Sequence, residues 1–150
     1  MAIRISRIPF AELESDPDFP ALVEGYTREC AIPEFTPGEV QVDTYLAMEA
    51  HGALHVWAVR HETRLVGFLL ILAHKLPHFG VLTAIVESIY VHPDHRGDSG
   101  ITLVNQAKAF ALEIHARGLL MSAPVGGQLA KLLPLLGFRH TNETFLWPTT

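Results

Sequence analysis

With 150 residues, 49% of them hydrophobic and 18% charged, the chain is long enough to bury a sizeable core and too apolar to stay disordered. A formal net charge of −5 argues against a nucleic-acid binder held by phosphate contacts, although a local loop of backbone N–H groups can hold phosphates on an acidic protein. Cys30 is the only cysteine, the start MAIRISRIPF has no signal-peptide core, and the longest apolar run, residues 65–73, is too short for a bilayer, so a single cytoplasmic domain over residues 1–150 is expected, with no membrane or nucleic-acid partner.

In chain order, Ile3, Ile5 and Ile8 predict a short first strand. Residues 11–30 carry helical material interrupted at Asp16-Pro17 and Phe19-Pro20. Pro33 and Pro37 break the chain, and residues 38–50 predict a further helix with Val40, Tyr45, Leu46 and Met48 on its apolar side. The middle is β: residues 54–60 and 65–74 read as an antiparallel hairpin around the polar turn 61–64. After a loop at 75–80, residues 81–91 form a third long strand stopped by Pro93. Ser99 is the expected N-cap of a helix over residues 100–117, with Gly118 as its stop. A short strand at 119–122, a helix over 127–136 carrying Pro134, and strand material at 138–147 complete the chain. The order β-α-α-β-β-β-α-β-α-β predicts an α/β fold with a mixed sheet.

The stretch ESIYVHPDHRGDSG, residues 87–100, joins a carboxylate in a strand to a glycine-bearing turn that opens a helix. Glycines let backbone N–H groups converge on a pyrophosphate, the helix adds its positive N-terminal dipole, and Arg96 adds a formal charge. Glu87 has two readings: a sheet-face carboxylate held in water, or a partly buried general base. The nine histidines, His92-x-x-His95 among them, read as scattered surface residues, and no metal site is expected. Leu103, Ala107, Phe110 and Ile114 share one helix face and are expected in the core.

Val91-His92-Pro93-Asp94-His95-Arg96-Gly97 and Leu136-Gly137-Phe138, set in this element order, resemble the GNAT superfamily of N-acetyltransferases. The resemblance covers nearly the whole chain in element order and is specific over residues 87–103. It implies a mixed, mostly antiparallel sheet flanked by helices, acetyl-CoA as cosubstrate and no metal. It also implies pantetheine contacts at Ile89, Tyr90 and Val91, and a phosphate loop at Arg96, Gly97, Asp98, Ser99, Gly100 and Ile101. Aligned from Arg96, the family's two later glycine positions fall on Ser99 and Ile101, with Gly100 between them. Glu87, four residues before Val91, lies where the family often carries its base. Leu133 stands where many members carry a tyrosine that protonates the CoA thiolate; Tyr90 and Ser122 are the nearest hydroxyls by sequence.

The expected activity is N-acetyl transfer from acetyl-CoA to the amine of a small molecule or a protein by direct attack, with specificity set by residues 11–50 and 74–80. Assembly as a homodimer is left open. The rival reading is a catalytically silent CoA-binding or assembly module with the same fold, and a third is an antitoxin-like or adhesion protein with no CoA site.

Overall fold

A computed structural model describes residues 3–30, 32–36 and 38–149, so the expected break at Pro37 lies outside the described residues. The elements run β1 (Ile3–Ile8), α1 (Phe10–Glu14), α2 (Phe19–Glu29), α3 (Val42–Ala50), β2 (Leu54–His61), β3 (Arg64–Leu76), β4 (Val81–Val91), α4 (Asp98–Glu113), β5 (Leu119–Met121) and α5 (Gln128–Leu135). The five strands lie side by side in chain order. Neighbours are antiparallel except β4 and β5, which are parallel across the α4 crossover.

Side-chain alternation along β2 and β3 divides the interior between two layers. Trp57, Val59, Leu69 and Ile71 pack with Ala84 and Val86 against the α4 face of Leu103, Ala107 and Phe110, and Ile114 lies at the margin, as the helical spacing predicts. On the opposite side of the sheet, Val56, Ala58, Phe68, Leu70 and Tyr90 meet Phe10, Leu13, Phe19 and Leu22 of α1 and α2.

The segment between α1 and α2 is clamped to the β2–β3 hairpin. Arg60 pairs with Asp16 at 2.9 Å, with side chains only 15% and 10% exposed, and Arg64 holds Asp18 through two bonds of 2.8 and 2.6 Å. The Arg64 guanidinium keeps the Asp18 carboxyl below its usual range.

Four expectations are corrected. Pro20 does not interrupt a helix but lies in the first turn of α2, where a missing N–H leaves no bond unmade. Ser99 is not the N-cap of α4; Gly97 is, at φ 87°, and this left-handed turn starts the helix early and buries Ser99 inside its first turn. The helix ends at Glu113, well before Gly118, with His115 taking the positive φ of the stop. Residues 138–149 carry no strand: the polar run 139–144 leaves little to bury, and Phe145 and Trp147 stand 85% and 84% exposed.

Among the described residues, no helix is long and apolar enough to cross a membrane. None of their His, Cys, Asp and Glu side chains gather in threes suited to a metal ion.

Candidate active site

The site is built where β4 changes character. Leu70 pairs with Ser88 while Ile71 pairs with Val86, so Glu87 is an extra residue with no partner on β3. This is a β-bulge, and it turns two consecutive side chains, Glu87 and Ser88, into the same pocket. The parallel partner ends at the same level: β5 pairs with Ala84, Ile85 and Val86 and then stops. From Glu87 to Val91, the side of β4 facing away from β3 has no neighbouring strand among the described residues. His92 donates its N–H to Val66 on β3 at 2.8 Å, and strand alternation then turns the backbone groups of Val91 and Ile89 toward that open side.

Glu87 is held from across the sheet layer. Tyr45 of α3 donates its hydroxyl to Glu87 Oε1 at 2.7 Å, whereas Oε2 is buried and has no hydrogen-bond partner. Burial raises the Tyr45 pKa, assisted by the bond to Glu87, and burial pushes that of Tyr26 up to about 12, so both remain donors. Burial also raises the Cys30 thiol above its ordinary value, which keeps it from being a ready thiolate nucleophile.

The carboxylate faces a cavity of about 280 Å³ between the sheet and the α1–α3 layer. Its inner wall includes Phe10, Phe19, Phe68 and Leu70, its polar atoms come from residues such as Tyr26, Cys30, Tyr45 and Ser88, and Ile32, Phe35, Glu39 and Val40 form part of the outer wall. Of the two segments expected to set specificity, the first supplies most of this wall, and no described residue of 74–80 lines it.

The expected phosphate loop opens α4. Gly97 and Gly100 both face open space: a Cβ on either would meet no atom within 4 Å. Asp98 is exposed, Gly100 and Ile101 are half-buried, and no side chain caps the helix from Gly97. The first-turn N–H groups of the helix therefore lack side-chain acceptors, an arrangement suited to anions.

Arg96 has three partners within the protein. Its Nε donates to the Val91 carbonyl at 2.8 Å, its Nη2 meets Glu29 at 2.5 Å, and its guanidinium lies 5.5 Å from the Tyr90 ring centroid. The cation fastens the start of the loop to β4 and to the end of α2 instead of facing the helix opening. Tyr90 is likewise structural: its ring is buried against Phe68 and Tyr26, and a Cβ at Gly25 would collide with its hydroxyl. Ser122 is exposed immediately beyond β5, next in the parallel register to Glu87.

The sequence singles out Glu87 and the loop as candidates but not Tyr45 as the partner of Glu87, nor the wall formed by Tyr26, Cys30, Phe35 and Glu39. Tyr45 lies 42 residues from Glu87 in the chain. The available signal was a lone hydroxyl on an otherwise apolar helix face, since a buried tyrosine needs a hydrogen-bond partner.

A bulged strand beside a truncated parallel neighbour, with an uncapped helix start at its end, is the arrangement this fold sets around Glu87. The family model for the acetyltransferase (GNAT) family matches residues 19–125, and the chain belongs to that family. No curated protein sequence matches it. Among solved structures, it is similar to a ribosomal-protein-alanine N-acetyltransferase from Brucella melitensis biovar Abortus 2308, at 22% identity, TM-score 0.73 and 99% of both chains. It is also similar to an aminoglycoside acetyltransferase from an uncultured soil metagenomic sample, at 15% identity, TM-score 0.75 and 100% of both chains. A third is AAC(6')-Iy in complex with a CoA-containing bisubstrate analogue, at 15% identity and TM-score 0.71, covering 100% of this chain and 99% of that one. At these identities the structures establish the shared fold.

Proposed function

We propose that the protein is an N-acetyltransferase that moves the acetyl group of acetyl-CoA to an amine by direct attack. The observation that carries this reading is Glu87: a carboxylate on a bulge, one oxygen held by Tyr45 and the other buried without a partner, facing a cavity at the point where β4 loses its parallel neighbour. A buried, unpartnered polar atom is costly, and such atoms are commonly retained for chemistry.

Acetyl-CoA supplies an acetyl group activated as a thioester. The outward backbone groups of Ile89 and the outward N–H of Val91, whose carbonyl is taken by Arg96, are suited to its amide-bearing arm, much as a strand edge receives an added strand. Tyr90 holds that stretch in place from its buried side. The helix opening at Gly97, Asp98, Ser99, Gly100 and Ile101 is suited to the pyrophosphate, and Arg96 sets the position of the loop. Glu87 takes one proton from the amine nitrogen, whose lone pair forms the new C–N bond to the acetyl carbon as the C–S bond breaks. We assign the return of a proton to the departing sulfur to Ser122, exposed and one step beyond the last parallel pair, or to water. Cys30 takes no covalent part.

One observation favours the rival reading, a silent CoA-binding module: Leu133, at the family's tyrosine position, is a buried apolar side chain on α5. The experiment is a thermal-shift titration with acetyl-CoA followed by turnover with a panel of amines. Acetyl-CoA at 100 times its dissociation constant should stabilise the protein by about 2.7 kcal/mol, and thiol release should depend on added amine. Stabilisation without turnover of any amine supports the silent module; no stabilisation at all defeats both readings.

A further inference from the structure

We infer that the acceptor is a small amine bearing an apolar or aryl group and no carboxylate. This rests on the acetyl-transfer reading above and narrows it to a substrate class.

The cavity in front of Glu87 has two charged residues in its described lining, Glu87 and Glu39, and both are acidic. No described lysine, arginine or histidine lines it. A substrate ammonium is attracted to such a site, whereas a substrate carboxylate would be desolvated beside Glu87 with no cation to pair with it. The buried Glu87 Oε2 lacks a donor, and a protonated amine supplies one.

Beyond the carboxylate, Phe10, Phe19, Val23, Phe68 and Leu70 supply a surface that can hold an apolar substituent, with a smaller share of hydroxyls from residues such as Thr27 and Ser88. The rim points the same way. Ile32, Phe35 and Val40 are exposed large hydrophobics, and all three line this one cavity. Phe35, 63% exposed, would be covered by the substituent of a bound amine. At about 280 Å³ the cavity lies just below the range for drug-sized ligands, roughly 300–1,000 Å³.

The reaction balances for this class. The ammonium gives one proton to Glu87 and the neutral nitrogen forms the C–N bond. Its second proton leaves as the amide forms, the C–S bond breaks, and the thiolate takes a proton. One proton is released overall with the N-substituted acetamide and free CoA.

The test compares kcat/KM for 2-phenylethylamine, phenylalanine, kanamycin and an alanyl peptide at saturating acetyl-CoA. The inference expects 2-phenylethylamine to exceed each of the others by at least about tenfold, within the discrimination that an apolar pocket can reach. Phe35→Ala should raise KM for 2-phenylethylamine several-fold while leaving the affinity for acetyl-CoA, measured by calorimetry, unchanged. Faster turnover of kanamycin, phenylalanine or the peptide overturns the substrate class and leaves acetyl transfer intact. If no amine is turned over, calorimetric titration of 2-phenylethylamine into the CoA-saturated protein decides. Binding that Phe35→Ala weakens retains the inference for the pocket while acetyl transfer fails. Absence of binding removes the inference as well.

Discussion

The two halves of β4 share a strand and differ in their company. From Val81 to Val86 the strand has β3 on one side, and its last three residues have β5 on the other; from Glu87 to Val91 only β3 remains. The upstream half lies over the α4 layer, with Ala84 and Val86 in a core that contains Phe110. The downstream half begins with an unpaired residue and leaves backbone groups without a neighbouring strand. Pairing on both sides yields stability; pairing on one side leaves groups available for a ligand. The upstream half therefore serves the fold, and the downstream half leaves the strand edge on which the proposed function relies.

Altering the bulged residue tests the open half most directly. Glu87→Gln retains shape but cannot accept a proton, and turnover should fall by ~10²–10⁴-fold. Its melting temperature should be unchanged or higher, because a buried oxygen without a donor is replaced by a neutral amide. A mutant that turns over at the wild-type rate, or one that unfolds more readily, would make Glu87 a structural carboxylate.

Phe110→Ala tests the closed half. Phe110 is buried against Trp57 and His55, and its truncation should cost about 3–5 kcal/mol in urea denaturation, with acetyl-CoA contacts on the downstream half untouched. A loss below about 1 kcal/mol would mean that the α4 layer is not the stabilising one.

At the end of the open half, Gly100→Val should weaken CoA roughly tenfold or more by intruding on the space above α4's first turn. Asp98→Asn should tighten CoA by less than about 1 kcal/mol, most clearly at low salt, because Asp98 is exposed. Calorimetry at two salt concentrations checks the ordering, and a Gly100→Val protein with wild-type affinity would move the phosphates elsewhere.

The smallest effect is on the closed side. Burial, aided by the Arg7 guanidinium, lowers the His55 pKa from its ordinary 6.5. The folded ring stays neutral where the unfolded one takes a proton, so stability is full above about 6.5 and declines as pH falls toward the depressed folded value. Melting curves from pH 7.5 to 5 should show this decline, and His55→Gln should flatten it.

Much of this contrast is legible in the sequence. The ends of β4 at Val81 and Val91 follow from apolar continuity and Pro93, and the α4 core face follows from the spacing of Leu103, Ala107 and Phe110. What escaped depends on partners distant in sequence. Nothing local to Glu87 reveals a bulge, because a bulge is a relation between two strands. Arg96 reads as a phosphate ligand because the loop is local, whereas its ion pair with Glu29, 67 residues away, has no local signal. Ser99 read as a cap by its residue type, but Gly97 can adopt the left-handed turn and claims that position first. The strand expected at 138–147 failed for a related reason: apolar residues at its end do not form a ladder without an edge to meet them.

The exposed end of the chain carries an optical consequence. The protein has two tryptophans. Trp57 is 3% exposed beside Phe110, and Trp147 is 84% exposed in the segment after α5. Fluorescence from the first reports the closed layer, while aqueous quenchers reach the second. Acrylamide should therefore divide the native emission into a protected blue component and an accessible red one. Unfolding should erase the first, and anything that covers the end of the chain should shield the second without disturbing the core.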